Sequence, residues 1–499
     1  MSTPIPKNRV ERTSGEIARI TGGALVRGKP ERVHTGLTTN SRECTPDCVF
    51  VALRGENFDG HAFVLAAARA GASLMLIERG RSLDLPANAE SGPANCAPHV
   101  VEVDDTLVAW GALARDHLAR WRASTPQGRV VAITGSAGKT TTKSFTAALL
   151  AEVDATHATV GNLNNRVGVP AMIFALEPRH RFIVLEMGTN LPGEIATLAA
   201  VAVPDVAIIT NIGLAHAERL GGTRAGVGQE KGSLFAALGE SGCAIVNADD
   251  DEVARQLSRT AAGHTRSFGR APGAAYRLLS RAGTKVVFAR SKSEITLDLP
   301  LAGEAAALDF LAALAATECA IGRSLSLEEL ARGLAHVALP DGRAQIHTLS
   351  WGITVIDDSY NANPSSMSAA IDLAVELAAP GKRRIVAVLG EMRELGPAEG
   401  DAHAALGDEL ARARVHTVIG CGGPAIALTL DHAARGGVCA MAAESTSEAA
   451  DVACAQVRPG DVVLVKGSRG VQTERVAIAL IAARDSGRTS SSSSQRTPR

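Results

Sequence analysis

The chain has 499 residues, of which 46% are apolar and 21% charged, and its formal net charge is −1. This length exceeds what one hydrophobic core ordinarily supports and predicts about three domains. The small net charge provides no global electrostatic field that would attract nucleic acid or an anionic membrane. The absence of a long apolar run and of a secretion signal predicts a cytosolic protein without a membrane span.

Residues 1–126 are predicted to form a small mixed α/β domain. We expect helices at residues 14–21, 62–70 and 106–122 and strands at residues 49–53, 72–77 and 99–103. Ser41, Arg42 and His61 lie in polar loops and could face a phosphorylated sugar, although periodicity alone favours ordinary exposed loop positions. Cys44 and Cys48 are the closest pair among eight cysteines, and their spacing favours isolated thiols over a zinc site.

The stretch Arg129–Thr134 is followed by Gly135-Ser136-Ala137-Gly138-Lys139-Thr140-Thr141. This order predicts a buried strand, a glycine loop and a helix, which together bind phosphate. The glycines let backbone N–H groups approach an anion, Lys139 can reach the terminal phosphates, and the Thr140 hydroxyl can bind magnesium. A tight turn with an exposed lysine is the alternative, but the combination favours a nucleoside triphosphate.

Residues 127–340 are predicted to form a central domain with a parallel sheet, because short apolar strands alternate with helices. Strands are expected at residues 182–186, 206–210 and 243–247, and each ends near a polar residue. The carboxyl ends of parallel strands face the crevice that binds ligands. Glu186, Asn211 and Asn247 are therefore expected around the glycine loop.

Residues 341–486 are predicted to form a Rossmann-like α/β domain, with strands at residues 354–357, 384–389, 416–419 and 461–465. The cluster Gly420–Gly423 follows a strand, but a lone glycine cluster indicates a plain turn. Residues 487–499 are too polar to pack and predict a disordered tail. The predicted fold class is therefore α/β, in three domains.

Four further clusters are unremarkable one at a time: Gly161–Asn165, Glu186–Asn190, Asn211–His216 and Gln229–Gly232. Three more lie later in the chain: Asp357–Pro364, Leu389–Gly396 and Val465–Arg469. Because these clusters occur together in a chain that also has a phosphate loop, the sequence closely resembles the Mur ligases of bacterial cell-wall synthesis. The resemblance extends from about residue 38 to about residue 475. Within that family, Asp358–Pro364 and Gly161–Asn165 are most similar to the branch that adds D-alanyl-D-alanine. The Asp-Asn-Pro-Arg stretch of diaminopimelate-adding relatives is absent.

The resemblance implies a monomeric, ATP-dependent peptide-bond ligase of cytoplasmic peptidoglycan precursor synthesis. Its substrates would be UDP-N-acetylmuramoyl-tripeptide and D-alanyl-D-alanine, and its cofactors ATP and Mg²⁺. The tripeptide carboxylate would attack the γ-phosphate to give an acyl phosphate, from which the dipeptide amine would displace phosphate.

Motif positions also imply residue roles. The catalytic residues would be Lys139, Glu186, His216 and Lys231. The metal would be held by Thr140, Glu186, His216 and Lys231, the last carbamylated. ATP would contact the glycine loop, Asp309, Arg343 and Asp358. The other substrates would contact Ser41, Arg42, Asn162, Asn164, Asn165, Asn361 and Asn363.

Two positions depart from the family pattern. Gly303–Asp309 stands where the family carries a His-Asn pair and a further Asn near the base, and Gln345 replaces a usual Glu. Another Mur-type or folate-polyglutamate-type ligase is one alternative. A nucleotide-gated binding protein that has lost ligation is another, encouraged by Ala305 and Asp309. Retention of the four catalytic positions argues for a ligase.

Overall fold

The computed structural model describes residues 3–55, 58–81 and 97–489. The chain divides into two compact units. The first contains the residues up to Ala132, together with Val153–Gly188 and Gly193–Val206, and the second contains Ile133–Glu152, Thr189–Pro192 and the residues from Ala207 onward. Part of the predicted central domain thus belongs to the first unit, and the predicted boundaries at residues 126 and 340 remain predictions.

The first unit begins as a mixed α/β fold. Its strands are β1 Glu11–Thr13, β2 Ala24–Arg27, β3 Val33–Thr35, β4 Leu37–Thr38, β5 Val49–Val51, β6 Arg54–Gly55, β7 Phe58–Asp59, β8 Leu74–Glu78 and β9 His99–Val103, and its helices are α1 Ser14–Thr21, α2 Val64–Arg69 and α3 Thr106–Ser124. Five strands form a sheet in the order β2-β9-β8-β5-β4. All pairs in it are parallel except β2 with β9. The predicted mixed α/β character is confirmed.

Local caps explain where two of these helices start. Thr13 and Glu16 form a capping box at the start of α1, which ends at Gly22 in the left-handed conformation, with φ 66°. The Asp105 carboxylate accepts from the backbone N–H groups of Leu107 and Val108 at the start of α3. Such side chains satisfy N–H groups that have no partner inside the helix.

The central region follows. Its strands are β10 Arg129–Thr134, β11 Thr156–Ala158, β12 Phe182–Glu186, β13 Val206–Ile209, β14 Cys243–Asn247, β15 His264–Gly269, β16 Tyr276–Ala282, β17 Lys285–Arg290 and β18 Ser293–Asp298. Its helices are α4 Lys139–Ala151, α5 Gly168–Phe174, α6 Glu194–Ala202, α7 Arg224–Ala236, α8 Asp251–Gln256, α9 Glu304–Ile321 and α10 Leu327–Ala335. In the first unit the strand order is β11-β12-β10, and in the second it is β10-β13-β14-β15-β16-β17-β18.

The far end of this sheet differs from the prediction of parallel strands. Strands β16, β17 and β18 form an antiparallel meander. Tyr276 and Leu278 of β16 are buried while alternate residues are not, which is the period-two pattern of a sheet with one covered face. Gly283, with φ 59°, makes the tight turn between β16 and β17. This alternation was available in the sequence and was missed.

The C-terminal region lies within the second unit. Its strands are β19 Gln345–Thr348, β20 Thr354–Asp358, β21 Ile385–Gly390, β22 Thr417–Cys421, β23 Cys439–Ala442 and β24 Val462–Lys466, and its helices are α11 Pro364–Ala378, α12 Glu399–Arg412, α13 Ile426–Arg435, α14 Thr446–Gln456 and α15 Glu474–Thr489. The strand order is β19-β20-β24-β21-β22-β23. Only β19 at the edge pairs antiparallel. The predicted Rossmann-like character is confirmed.

Both faces of this last sheet are covered. Along β21, Ala387 and Leu389 belong to one apolar cluster, and Val386 and Val388 belong to the other. A sheet with two covered faces requires such continuous apolar strands. Helix α15 extends three residues into the predicted tail, and residues 490–499 lie outside the described part of the chain. No helix among the described residues has the length and apolarity needed to cross a membrane.

Candidate active site

The glycine loop connects β10 to α4 and requires glycine at two positions because other groups approach closely. A Cβ atom at Gly135 would lie 1.8 Å from the Thr210 hydroxyl oxygen. At Gly138, with φ 80°, it would lie 2.2 Å from Asp309 Oδ1. Gly138 precedes α4 without a side-chain cap, so the start of this helix keeps the electropositive character that binds anions.

Two asparagines at the ends of neighbouring strands support the loop. The backbone N–H of Ala137 donates to Asn211 Oδ1 at 2.9 Å, and that of Ser136 donates to the Asn211 carbonyl oxygen at 2.9 Å. The Asn247 amide donates to the backbone carbonyl oxygen of Thr210 at 2.9 Å. The Thr210 hydroxyl in turn donates to the backbone carbonyl oxygen of Ala137 at 2.6 Å. The expected gathering of Asn211 and Asn247 at the loop is confirmed: Asn211 bonds directly to the loop backbone, and Asn247 acts through Thr210.

Lys139 is the first residue of α4. Its ammonium donates to the carbonyl oxygen of Gly135 at 2.7 Å, which holds the positive charge over the loop. Thr140 follows and is buried. A cation and a hydroxyl next to an uncapped helix start are the groups that bind a nucleotide phosphate and its metal.

Asp309 lies against the loop. Its side chain is buried, and its Oδ1 accepts from the Thr142 hydroxyl at 3.2 Å. Burial raises the pKa of Asp309 to about 8, although the Thr142 hydrogen bond and the charges of Arg343 and Lys139 oppose this shift. A protonated carboxyl has the shape of a carboxamide and adds no negative charge beside the loop. The replacement of the family Asn by Asp is therefore a small change at neutral pH.

Lys231 lies on α7 and is fully buried. Among the described residues its ammonium nitrogen has no hydrogen-bond partner. Burial lowers the pKa of the Lys231 amine well below its ordinary value, and the Lys139 ammonium lowers it further while Glu230 opposes the shift. The neutral amine is therefore more accessible at this position than at an exposed lysine, because desolvation disfavours the ammonium.

Close helix packing sets the position of α7. A Cβ atom at Gly228 would lie 2.5 Å from Glu252 Oε1, and one at Gly232 would lie 2.2 Å from Gln256 Oε1. Both partners belong to α8, so two glycines one turn apart let the helices approach. Lys231, which lies between these positions in sequence, is held by this packing.

His216 comes from the loop after β13. Its Nδ1 lies 2.5 Å from Glu394 Oε2, a residue that follows β21. His216 adopts the left-handed conformation with φ 61°, and Glu394 does so with φ 65°. The hydrogen bond to His216 lowers the pKa of the Glu394 carboxyl.

The C-terminal residues predicted to bind substrate have other partners here. The Asn363 amide donates to the Ser136 carbonyl oxygen at 3.1 Å, and its Oδ1 accepts from the N–H of Ser366 at the start of α11. The Asn361 backbone carbonyl oxygen accepts from the Lys466 ammonium at 2.9 Å, and its side-chain Oδ1 accepts from the N–H of Arg469 at 3.4 Å. Both asparagines therefore have structural roles in this arrangement, and the prediction that they contact substrate remains a prediction.

Asp358 and Arg343, predicted to approach the nucleotide, lie in one cluster. Asp358 forms an ion pair with buried Lys466, and its Oδ1 accepts from the N–H of Ala344 at 3.1 Å. The Arg343 guanidinium carbon lies 4.0 Å from the centre of the Tyr360 ring. Arg343 also lies close enough to Asp309 for its charge to affect that pKa, which brings the C-terminal region to the glycine loop.

In the first unit, Glu186 and Asn164 meet. The Asn164 amide donates to Glu186 Oε1 at 2.9 Å, and the Thr159 hydroxyl oxygen accepts from the N–H of Glu186 at 3.0 Å. Asn165 Oδ1 accepts from two N–H groups at the start of α5, and the N–H of Asn162 donates to Thr3 Oγ1 at 3.4 Å. Asn164 is thus placed to orient Glu186, whereas the Asn165 side chain binds backbone N–H groups of the turn that leads into α5.

The remaining N-terminal candidates divide into two kinds. Ser41 and Arg42 form a single 3₁₀ turn capped by Asn40, with Arg42 exposed. The His61 side chain is buried, its Nδ1 lies 2.6 Å from Asp59 Oδ1, and its Nε2 accepts from the N–H of Glu78. Both nitrogens of His61 are therefore occupied, which removes it from the sugar-binding candidates.

The donor groups of the second unit fit a magnesium ion that is shared with a nucleotide. Among the described residues, no group of three or more His, Cys, Asp or Glu side chains could hold a metal. Magnesium prefers oxygen ligands and is usually held by few protein groups together with substrate phosphates. Thr140 offers a hydroxyl oxygen, and the unpartnered Lys231 nitrogen is where a modification could add further oxygens.

Two supporting residues were not assigned a role from the sequence. Thr142 holds Asp309, and Glu394 holds His216. The signal for Glu394 was its place in the cluster Leu389–Gly396, which the resemblance singled out without giving a function. No sequence signal pointed to Thr142.

The loop and the parallel sheets define a nucleotide-dependent α/β enzyme. Three family models match the chain: the Mur ligase family catalytic domain at residues 33–117, the Mur ligase middle domain at residues 133–317 and the Mur ligase glutamate ligase domain at residues 342–469. The chain therefore belongs to the Mur ligase family and is an ATP-dependent ligase. The resemblance drawn from the sequence clusters is confirmed.

Individual relatives are similar over nearly their whole length. The UDP-N-acetylmuramoyl-tripeptide–D-alanyl-D-alanine ligase of Escherichia coli K12 is 34% identical, over 89% of this chain and 93% of the relative. That of Bacillus subtilis 168 is 33% identical, over 95% and 99%. Among solved structures, MurF from Acinetobacter baumannii has a TM-score of 0.82 at 29% identity, covering 95% of this chain and 100% of that one. MurF from Thermotoga maritima in complex with ADP has a TM-score of 0.76 at 28% identity, over 90% and 98%.

Proposed function

We propose that this chain joins D-alanyl-D-alanine to UDP-N-acetylmuramoyl-tripeptide at the expense of ATP, in cytoplasmic peptidoglycan precursor synthesis. The supporting observation is a phosphate loop with Lys139 over it and buried Lys231 nearby, in a chain whose near full-length relatives carry that activity in their names. The protein would act as a monomer.

The reaction would proceed in two displacements. A carboxylate oxygen of the tripeptide attacks the γ-phosphorus, the bond from phosphorus to the β-phosphate oxygen breaks, and ADP leaves. The amine of the dipeptide then attacks the acyl carbon of the acyl phosphate, loses a proton and expels inorganic phosphate. The first step brings two anions together, so cations that contact the developing charge accelerate it. Lys139, above the loop, would supply this contact.

The metal site would be completed by a modified lysine. The Lys231 nitrogen would attack the carbon of carbon dioxide and lose a proton, giving a carbamate with two oxygens. Its burial and lowered pKa support this step, because only the neutral amine has the free lone pair. Thr140, His216, Glu186 and carbamylated Lys231 would hold magnesium, which would neutralise phosphate charge when bound.

Other residues would bind the remaining substrate groups. Ser41, Arg42, Asn162, Asn164 and Asn165 would face the UDP-sugar peptide. The glycine loop, Asp309, Arg343 and Asp358 would surround ATP, with Asp309 held by the Thr142 hydroxyl of α4. Asn361 and Asn363 are retained as substrate candidates, although their present contacts support the loop and β24 instead.

The test is ADP release by purified protein with each substrate omitted in turn. ADP should form at the full rate only with both UDP-N-acetylmuramoyl-tripeptide and D-alanyl-D-alanine, and meso-diaminopimelate or glutamate should not replace the dipeptide. With ¹⁸O in the tripeptide carboxylate, one labelled oxygen should appear in the released phosphate. Label that remains wholly in the peptide would contradict the acyl phosphate, and equal activity with glutamate would favour a folate-type ligase.

A further inference from the structure

Two loops from distant parts of the second unit meet at His216. The His216 loop comprises residues 213–222, after β13, and the Glu394 loop comprises residues 391–397, after β21. Besides the contact between His216 Nδ1 and Glu394 Oε2, the N–H of Glu218 donates to the carbonyl oxygen of Glu394 at 3.3 Å. A Cβ atom at Gly396 would lie 2.8 Å from the Glu218 Cα. The loops are therefore in close backbone contact.

The Glu394 loop is held firmly by the C-terminal region. Met392 and Leu395, on either side of Glu394, are fully buried. The N–H of Arg393 donates to the Ser468 hydroxyl oxygen at 3.0 Å. Glu394 itself has the left-handed backbone conformation, which is uncommon outside glycine and indicates a position set by its surroundings. Its carboxylate is therefore presented to His216 by a rigid support.

This contact determines which ring nitrogen of His216 is available. A carboxylate only accepts hydrogen bonds, so Nδ1 must carry the proton and Nε2 is left to accept a hydrogen bond or bind a metal. Histidines that bind metals commonly donate their other ring N–H to a carboxylate, which fixes the ring and makes the ligand more basic. The geometry between His216 and Glu394 is of this type.

An ordinary surface ion pair is the competing explanation. Glu394 is 57% exposed and His216 23% exposed, and exposed pairs of this kind contribute little to stability. An exposed pair made for stability alone would not require two left-handed residues or the close approach at Gly396. The arrangement instead restricts the orientation of one imidazole.

We propose that Glu394 is a positioning residue for His216, which fixes Nε2 as the metal-binding nitrogen and makes that orientation depend on the docked C-terminal region. The proposal rests on the assignment of His216 to the metal in the proposed function. It adds that a residue outside the central region controls the affinity of the metal site.

The test measures metal binding instead of turnover. Mn²⁺ is titrated into the full-length protein with ADP, and free Mn²⁺ is followed by electron paramagnetic resonance for wild type, Glu394→Ala, Glu394→Gln, His216→Ala and the Glu394→Ala/His216→Ala pair. Asp401→Asn, an exposed carboxylate on α12, is the matched control. Loss of such a partner typically weakens metal affinity about 10–100-fold, so Glu394→Ala should do so while Asp401→Asn does not.

Two further comparisons separate orientation from folding. Glu394→Gln should recover most of the affinity, because its amide oxygen accepts from the same Nδ1–H. In the His216→Ala background, Glu394→Ala should have no additional effect. Circular dichroism shows which variants are folded, and if Glu394→Ala is not, Glu394→Asp replaces it.

Unchanged Mn²⁺ affinity in folded Glu394→Ala, or an equal loss with and without His216, would overturn the proposal. Unchanged affinity in His216→Ala would overturn both this proposal and the metal assignment. ADP release that depends on both substrates is measured separately, so the ligase function itself can stand when this proposal fails.

Discussion

Asp309→Asn should remove a loss of folding stability that the second unit otherwise undergoes as the pH rises. The substitution keeps the shape of the side chain and an oxygen that accepts from the Thr142 hydroxyl. Burial raises the pKa of Asp309 to about 8 in the folded protein, against 3.8 for the ordinary group. The folded state therefore binds a proton that the unfolded state releases between these values. Stability from this group is complete below the ordinary pKa and is lost as the pH rises towards about 8.

The size of this pH effect on the free energy of unfolding follows from the binding of one proton. When the folded state holds one proton more than the unfolded state, the free energy of unfolding falls by about 1.4 kcal/mol for each pH unit. Between pH 5 and pH 7, wild type should thus lose about 3 kcal/mol relative to Asp309→Asn. For a large cooperative unit this corresponds to about 5 °C in Tm.

The assay is thermal unfolding followed by circular dichroism at pH 5, 6, 7 and 8, at one ionic strength and one scan rate. The quantity of interest is the Tm of the variant minus that of wild type, in which pH effects from other groups cancel. Asp298→Asn, at an exposed position, serves as the control and should give a constant difference. A constant difference for Asp309→Asn as well would show that Asp309 is ionised in the folded protein and would refute the reasoning.

Three further predictions concern activity. Lys139→Ala should lose about 2.7–4 kcal/mol of transition-state stabilisation while the protein remains folded. A near-normal kcat in the folded variant would show that the loop does not take part in catalysis. Lys231→Ala should lose most activity and regain part of it with short-chain carboxylic acids, which can occupy the carbamate position, whereas full activity in Lys231→Arg would exclude the carbamate. ATP should be preferred over GTP only weakly, because Ala305 and Ala306 offer no hydrogen bonds to the base and Asp309 is bonded to Thr142. The ratio of kcat/KM for the two nucleotides measures this, and a strong preference would mean that other residues read the base.

Local patterns were sufficient for most of the fold. Strands β9, β12 and β14 were predicted with their observed bounds, because each is a short buried run with polar residues beside it. The helix at Ser14–Thr21 was likewise predicted with its observed bounds, and the structure adds that a capping box fixes its start. The antiparallel meander of β16–β18 was missed, because its alternation is weak next to the apolar strands that precede it.

The sequence by itself determined the phosphate loop, the α/β class and the family, because glycine, lysine and threonine at fixed spacing carry that chemistry within a few residues. Tertiary structure alone decided which partners the functional groups have. Glu394 lies 178 positions from His216, and Asp309 lies 167 positions from Thr142. Contacts between residues so far apart depend on how strands and helices pack, and the buried environment that shifts the pKa of Lys231 and Asp309 arises only from that packing.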